Sequence, residues 1–125
     1  MHWIVDAMNV IGTRPDGWWR DRDAAMARLV DRLERFSAET GDDVTVVFER
    51  KPRPGLRSTV IEIAHATKRG PDAADYEIVK IVEAHAVPRT LQVVTSDHWL
   101  SDRVSAAGAT VFPSSPFRDR IDGRS

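Results

Sequence analysis

The chain has 125 residues, a formal net charge of −1, 42% hydrophobic and 30% charged residues, and no cysteine. That size and balance describe one ordinary globular domain able to bury a core, and they exclude disulfides, thiolate zinc sites and cysteine nucleophiles. No apolar run approaches a membrane span, and the N-terminus opens on a strand rather than a signal peptide, so a cytoplasmic protein with no membrane partner is expected.

The first predicted element is Trp3-Ile4-Val5, a short continuous apolar run of the kind that fills a central parallel strand. Asp6 closes it and leads into Ala7-Met8-Asn9, and Pro15-Asp16-Gly17 marks the loop from Gly12 to Gly17. Met26, Leu29, Val30, Leu33 and Phe36 follow at helical spacing, with Gly41 placed to end that helix. Val44 to Phe48 reads as a second buried strand ending at Glu49. The segment after it is locally basic, with Arg50, Lys51, Arg53 and Arg57 among prolines and a glycine. Thr59 to Ile63 reads as a third strand, followed by Lys68 and Arg69.

Asp72 has the position of an N-cap, Asp75 falls in the first turn after it, and Ile78, Val79 and Val82 supply an apolar helix face that stops before Pro88. Leu91 to Thr95 is a fourth strand running into Ser96-Asp97. Leu100, Val104 and Ala107 mark a third helix closed by Gly108, and Thr110-Val111-Phe112 is a short fifth strand. The tail from Pro113 to Ser125 is polar and is expected to be loosely held, within a single domain covering residues 1–125 and without internal repeats.

Strands alternating with helical patterns predict an α/β fold with three layers and a mostly parallel central sheet of four to five strands. If the first strand is central with the fourth beside it, the chain winds away from that pair in both directions. The pair is then a topological switch point, where open α/β sheets keep their ligands. Asp6 and Asp97 meet there, Glu49 arrives from the second strand, and Asp75 faces inward from its helix. Carboxylates brought together repel unless they share a cation. A divalent metal relieves that repulsion, and a metal on carboxylates suits phosphodiester chemistry.

The pieces Ile4-Val5-Asp6-Ala7-Met8-Asn9-Val10-Ile11-Gly12, Val46-Val47-Phe48-Glu49, Ala74-Asp75-Tyr76-Glu77-Ile78 and Val93-Val94-Thr95-Ser96-Asp97 stand in this order along the chain. In these motifs the chain resembles the NYN-domain branch of the PIN-like nucleases, nearest its YacP-type members. The resemblance implies a PIN-like Rossmannoid fold and an endoribonuclease dependent on one or two Mg²⁺ or Mn²⁺ ions. By matched position it implies Asp6, Asp75 and Asp97 as catalytic and metal-binding acids, Asn9 as the polar residue of the first motif, and Ser96 as the hydroxyl beside the last acid. It also raises messenger RNA on the ribosome as a target. Two departures stand out: Glu49 replaces an aspartate common after the second strand, and Ala7-Met8 replaces a glycine and an aromatic.

From the residues themselves, Glu49 is a supporting metal ligand, and Arg50, Lys51, Arg53 and Lys68 are placed to hold RNA phosphates without reading sequence. Each acid also has a plain structural role open to it. Asp6 could cap a turn, Asp97 could cap the following helix, and Asp75 could complement a helix dipole. Two rival functions remain: a non-catalytic RNA-binding module of the same fold, and a Mg²⁺-dependent hydrolase of small phosphate esters. Dimerisation would enlarge a binding groove, but no segment specifies it.

Overall fold

The computed structural model describes residues 1–123. Five parallel strands form one sheet, β1 (His2–Asp6), β2 (Asp43–Phe48), β3 (Glu62–His65), β4 (Leu91–Val94) and β5 (Thr110–Phe112), in the order β3-β2-β1-β4-β5. The helices are α1 (Ala7–Ile11), α2 (Arg22–Thr40), α3 (Ala73–Ala84), α4 (His98–Ala106) and α5 (Ser114–Ile121). The three-layer α/β arrangement expected from the sequence is the one observed.

Alternation along the central strands divides the interior. Trp3, Val5, Val46 and Phe48 face one side, where they pack against Leu29, Leu33 and Phe36 of α2 and Phe117 of α5. Ile4, Val47 and Val93 face the other, against Ile78 and Val82 of α3 and Leu100 and Val104 of α4. Both faces are covered, so the strands read as continuous apolar runs rather than alternating ones. The side chain of Asp21 accepts from the Ala24 amide at 3.0 Å to start α2, and Gly41, at φ 75°, ends it in the left-handed region.

Three local expectations are corrected. The third strand begins at Glu62, not Thr59, because the Ser58 hydroxyl accepts from the amides of both Val60 and Ile61 at 3.0 Å, diverting them from a ladder. Asp72 occupies the N-cap position of α3 without a side-chain capping bond. The polar tail is not loose over residues 114–121: it forms α5, whose Phe117 and Ile121 enter the core. Phe117 lies 5.3 Å from the Trp3 ring and 5.4 Å from Phe36, measured between centroids. Arg118, only 9% exposed, pairs with Asp122 at 2.9 Å and Asp16 at 3.3 Å, tying α5 to the loop after α1. Residues 124 and 125 of the expected tail lie outside the described residues.

The connections fix where a site can form. The chain leaves β1 toward β2 and β3 on one side and returns through α3 to β4 and β5 on the other. β1 and β4 are paired neighbours at the point where the winding reverses. Their C-terminal ends open the crevice that α/β sheets leave for ligands.

Candidate active site

Asp6 is the last residue of β1 and is 5% exposed. It stands at the N-cap position of α1 but makes no capping bond. Its Oδ2 instead accepts from the Thr95 hydroxyl, just beyond β4, at 2.9 Å. Thr95 Oγ1 in turn accepts from the Asp97 amide at 3.2 Å. One buried hydroxyl therefore orients both the first acid and the backbone that carries the second. Thr95 was not among the residues predicted from sequence, although the Thr-Ser-Asp run at a strand end was the available signal.

Asp97 does cap α4: its Oδ1 accepts from the Leu100 amide at 2.8 Å. The structural role open to it is thus real, and it commits one of the two carboxylate oxygens. Asp75 sits in the first turn of α3, partly exposed, and Glu49 follows the end of β2. These acids share one electrostatic environment. Burial first, then repulsion from Asp75, Asp97 and Glu49, pushes Asp6 up to about 7 against the opposing pull of the Thr95 hydroxyl. Burial, followed by repulsion from Asp97, Asp72 and Glu49, pushes Asp75 up to about 6. Among the described residues none of Asp6, Glu49, Asp75 and Asp97 takes part in a salt bridge.

Among the described residues, no three acidic or histidine side chains stand close enough together to hold a metal. The donor set nevertheless fits a hard cation. Mg²⁺ takes one or two carboxylates directly and keeps several waters, and acids without a paired cation around a buried Asp6 leave negative charge for it to neutralise.

The predicted substrate-binding residues fall into three groups. Asn9 and Ser96 are tied together with α5: Asn9 Oδ1 accepts from the Ser96 amide at 2.9 Å and from the Ser114 hydroxyl, while Ser96 Oγ accepts from the Ser114 amide at 3.0 Å. Both side chains thereby position the β4–α4 turn, and Ser114 joins the constellation unforeseen by sequence. Arg50 turns to Asp23 on α2 at 2.9 Å, and the Arg53 amide donates to the same carboxylate at 2.8 Å. Those bonds, that of Arg50 first, hold Asp23 below the usual carboxylate range. The basic loop is therefore anchored to α2 by its backbone and first arginine, with Lys51 and the Arg53 side chain exposed. Lys68 lines a separate hollow of about 450 Å³ beside the start of α3, with Arg69, Tyr76 and Lys80.

A family model described as the YacP-like NYN domain matches residues 3–125. The UPF0178 protein of Xanthomonas oryzae pv. oryzae strain PXO99A is 33% identical over 120 residues, which cover 89% of this chain and 69% of that protein. Its counterpart in strain MAFF 311018 is similar to the same extent. The crystal structure of YacP from Bacillus subtilis superposes with a TM-score of 0.80 over 98% of this chain and 74% of that one, at 20% identity. A point variant of the same protein gives 0.78. At that identity the structural likeness establishes the fold.

Proposed function

The chain belongs to the YacP-like NYN domain family, and from that membership we propose that it is a metal-dependent endoribonuclease. The observation that carries the reading is Asp6: a buried carboxylate at the switch point, without a cationic partner among the described residues and repelled by Asp75, Asp97 and Glu49. A fold gains nothing from burying such a charge unless something positive completes it.

Asp6 and Asp97 would hold one or two Mg²⁺ or Mn²⁺ ions, with Asp75 and Glu49 binding directly or through water; such an ion, when bound, supplies an activated water and neutralises charge on the phosphoryl oxygens. The chain's own groups do the positioning. Thr95 fixes the orientation of the Asp6 carboxylate, and the capping bond to Leu100 engages Asp97 Oδ1, so Oδ2 would be the oxygen offered to an ion. Asn9, with its oxygen committed to Ser96 and Ser114, has its amide NH₂ to offer a phosphate oxygen. Lys51, Arg53 and Lys68 are suited to flanking phosphates, which position RNA without reading its sequence.

The separation of the acids favours one alternative, an RNA-binding module of the same fold without turnover. Cleavage of a labelled mixed-sequence RNA separates the two. Internal cuts that need Mn²⁺ or Mg²⁺, stop with EDTA and vanish in Asp6→Asn and Asp97→Asn are the expected result. RNA retained without turnover under either metal would establish the binding module instead. Charge reversal at Lys51 and Arg53 should weaken RNA cleavage; indifference to it would point to a small phosphate ester as substrate. Messenger RNA on the ribosome, and a cytoplasmic site of action, belong to the same proposal. No helix among the described residues is long and apolar enough to cross a membrane.

A further inference from the structure

Tyr76 is 64% exposed, although it directly follows Asp75 on α3. Consecutive helical residues diverge by about 100°, so while Asp75 faces the crevice, Tyr76 turns to the rim. Its ring meets Trp99, two residues after Asp97, at 5.3 Å between centroids with the planes at 66°. Trp99 is itself 38% exposed and carries the Arg103 guanidinium 5.0 Å from its centroid. Two aromatic rings thus stand beside two of the site's acids, each braced by a neighbour.

Two hollows adjoin Tyr76. Tyr76 lines the hollow of about 450 Å³ that also contains Lys68, Arg69 and Lys80. It equally lines a second hollow, of about 510 Å³, on the Trp99 and Arg103 side. Both volumes lie in the range of small-molecule sites. A bracing role between α3 and α4 accounts for the Tyr76–Trp99 contact, but it does not account for a ring left mostly in water between two hollows. The charge in the first hollow is nearly balanced: Asp72 and Glu77 also line it, and Glu77 pairs with Lys80 at 3.2 Å. Attraction for a phosphate chain is therefore modest there, and binding must draw on the ring face.

We infer that Tyr76, backed by Trp99 and Arg103, is a stacking platform for an unpaired base of single-stranded RNA, within a nucleotide or two of the bond held at the acids. This rests on the ribonuclease reading above and gives it a substrate class. Lys68 and Arg69 hold the phosphate adjoining the stacked base. A duplex, whose bases are already stacked on one another, has no face to offer the ring.

The test is anisotropy of a fluorescein-labelled mixed-sequence RNA dodecamer, single-stranded or annealed to its complement, in Ca²⁺ with RNA integrity checked on a gel. Stacking contributes enough per base that Tyr76→Ala should weaken single-strand binding roughly 5- to 150-fold. Duplex binding should stay within about twofold, and Tyr76→Phe should bind as wild type because the ring face, not the hydroxyl, does the work. Thermal melts of the variants should match, since the side chain is mostly exposed. Equal binding by Tyr76→Ala and wild type would overturn the proposal, as would parallel losses on single strand and duplex, a loss in Tyr76→Phe as large as in Tyr76→Ala, or no binding of either RNA by wild type. Cleavage in Mn²⁺, followed alongside, separates the two readings. Intact cleavage with an indifferent Tyr76 removes the platform alone; the expected binding pattern without cleavage removes the nuclease alone.

Discussion

Replacing Asp6 with asparagine should stabilise the protein above neutral pH. The carboxylate is 5% exposed and its pKa is raised from an ordinary 3.8 to about 7. In the folded state it holds a proton that the unfolded chain has released, so its effect on stability changes between these two values. Below about pH 3 both states are largely protonated and the penalty vanishes. As pH rises the unfolded state gains from ionisation first, and the folded state is destabilised by about 2 kcal/mol at pH 5 and about 4 kcal/mol at pH 8, where the penalty levels off. Asparagine keeps an oxygen for the Thr95 hydroxyl and removes the charge. Urea titrations in EDTA should therefore show Asp6→Asn more stable than wild type by a few kcal/mol at pH 8, with the two converging toward pH 4. A residual slope should persist in the variant, because burial and repulsion from Asp97, Asp72 and Glu49 still raise Asp75 to about 6. Equal stability at pH 8, or a gap that fails to narrow in acid, would refute the claim that a desolvated charge is stored at this position.

A divalent cation should reverse that penalty in the wild type. Mg²⁺ or Mn²⁺ at a hundred times its dissociation constant should add about 2.7 kcal/mol, seen as a rise in melting temperature at pH 8 that EDTA abolishes and that Asp6→Asn lacks. At Asp97 the two roles can be split: asparagine preserves the cap to Leu100, whereas alanine should cost about 1 kcal/mol of stability. Activity lost in both Asp97→Asn and Asp97→Ala would assign the carboxylate to chemistry, while an active Asp97→Asn would leave it only the cap. Phe117→Ala should cost about 3–5 kcal/mol by chemical denaturation, since this ring closes the aromatic cluster with Trp3 and Phe36; a change below about 1 kcal/mol would mean that α5 is held by its ion pairs rather than by packing.

How far the sequence could be read depended on the range of the interactions involved. The central strands were legible because burial on both faces forces continuous apolar runs such as Trp3-Ile4-Val5 and Val44 to Phe48. The switch point followed from the order of strands and helices. The α1 helix was not legible: five residues cannot display a helical period. The α5 helix escaped for another reason, because its apolar burial rests on Phe117 and Ile121 alone and much of its hold is polar, through Ser114 to Asn9 and Ser96 and through Arg118 to Asp16. Asp16 stands 102 residues from Arg118, and a partner so distant leaves no local pattern. The same limit applies to Asn9 and Ser96, whose bonds to Ser114 and to each other exist only once β1, β4 and α5 have assembled.

Residue by residue, each acid of the site had a structural role to compete with a chemical one, and the structure resolves the competition differently at each. Asp97 satisfies its structural role, capping α4 with Oδ1. Asp6 does not: it stands where a cap would stand, makes no capping bond, and is buried instead within the repulsion of other carboxylates. A cap that faces solvent stabilises a helix cheaply, whereas a desolvated carboxylate among like charges opposes folding. Thr95 sharpens the point, since a hydroxyl shared between Asp6 and the Asp97 amide holds the two acids in register despite their repulsion. Structure that maintains an unfavourable charge arrangement is more informative about function than structure that relieves one, and on that ground Asp6 rather than Asp97 is the residue from which the reading of this site starts.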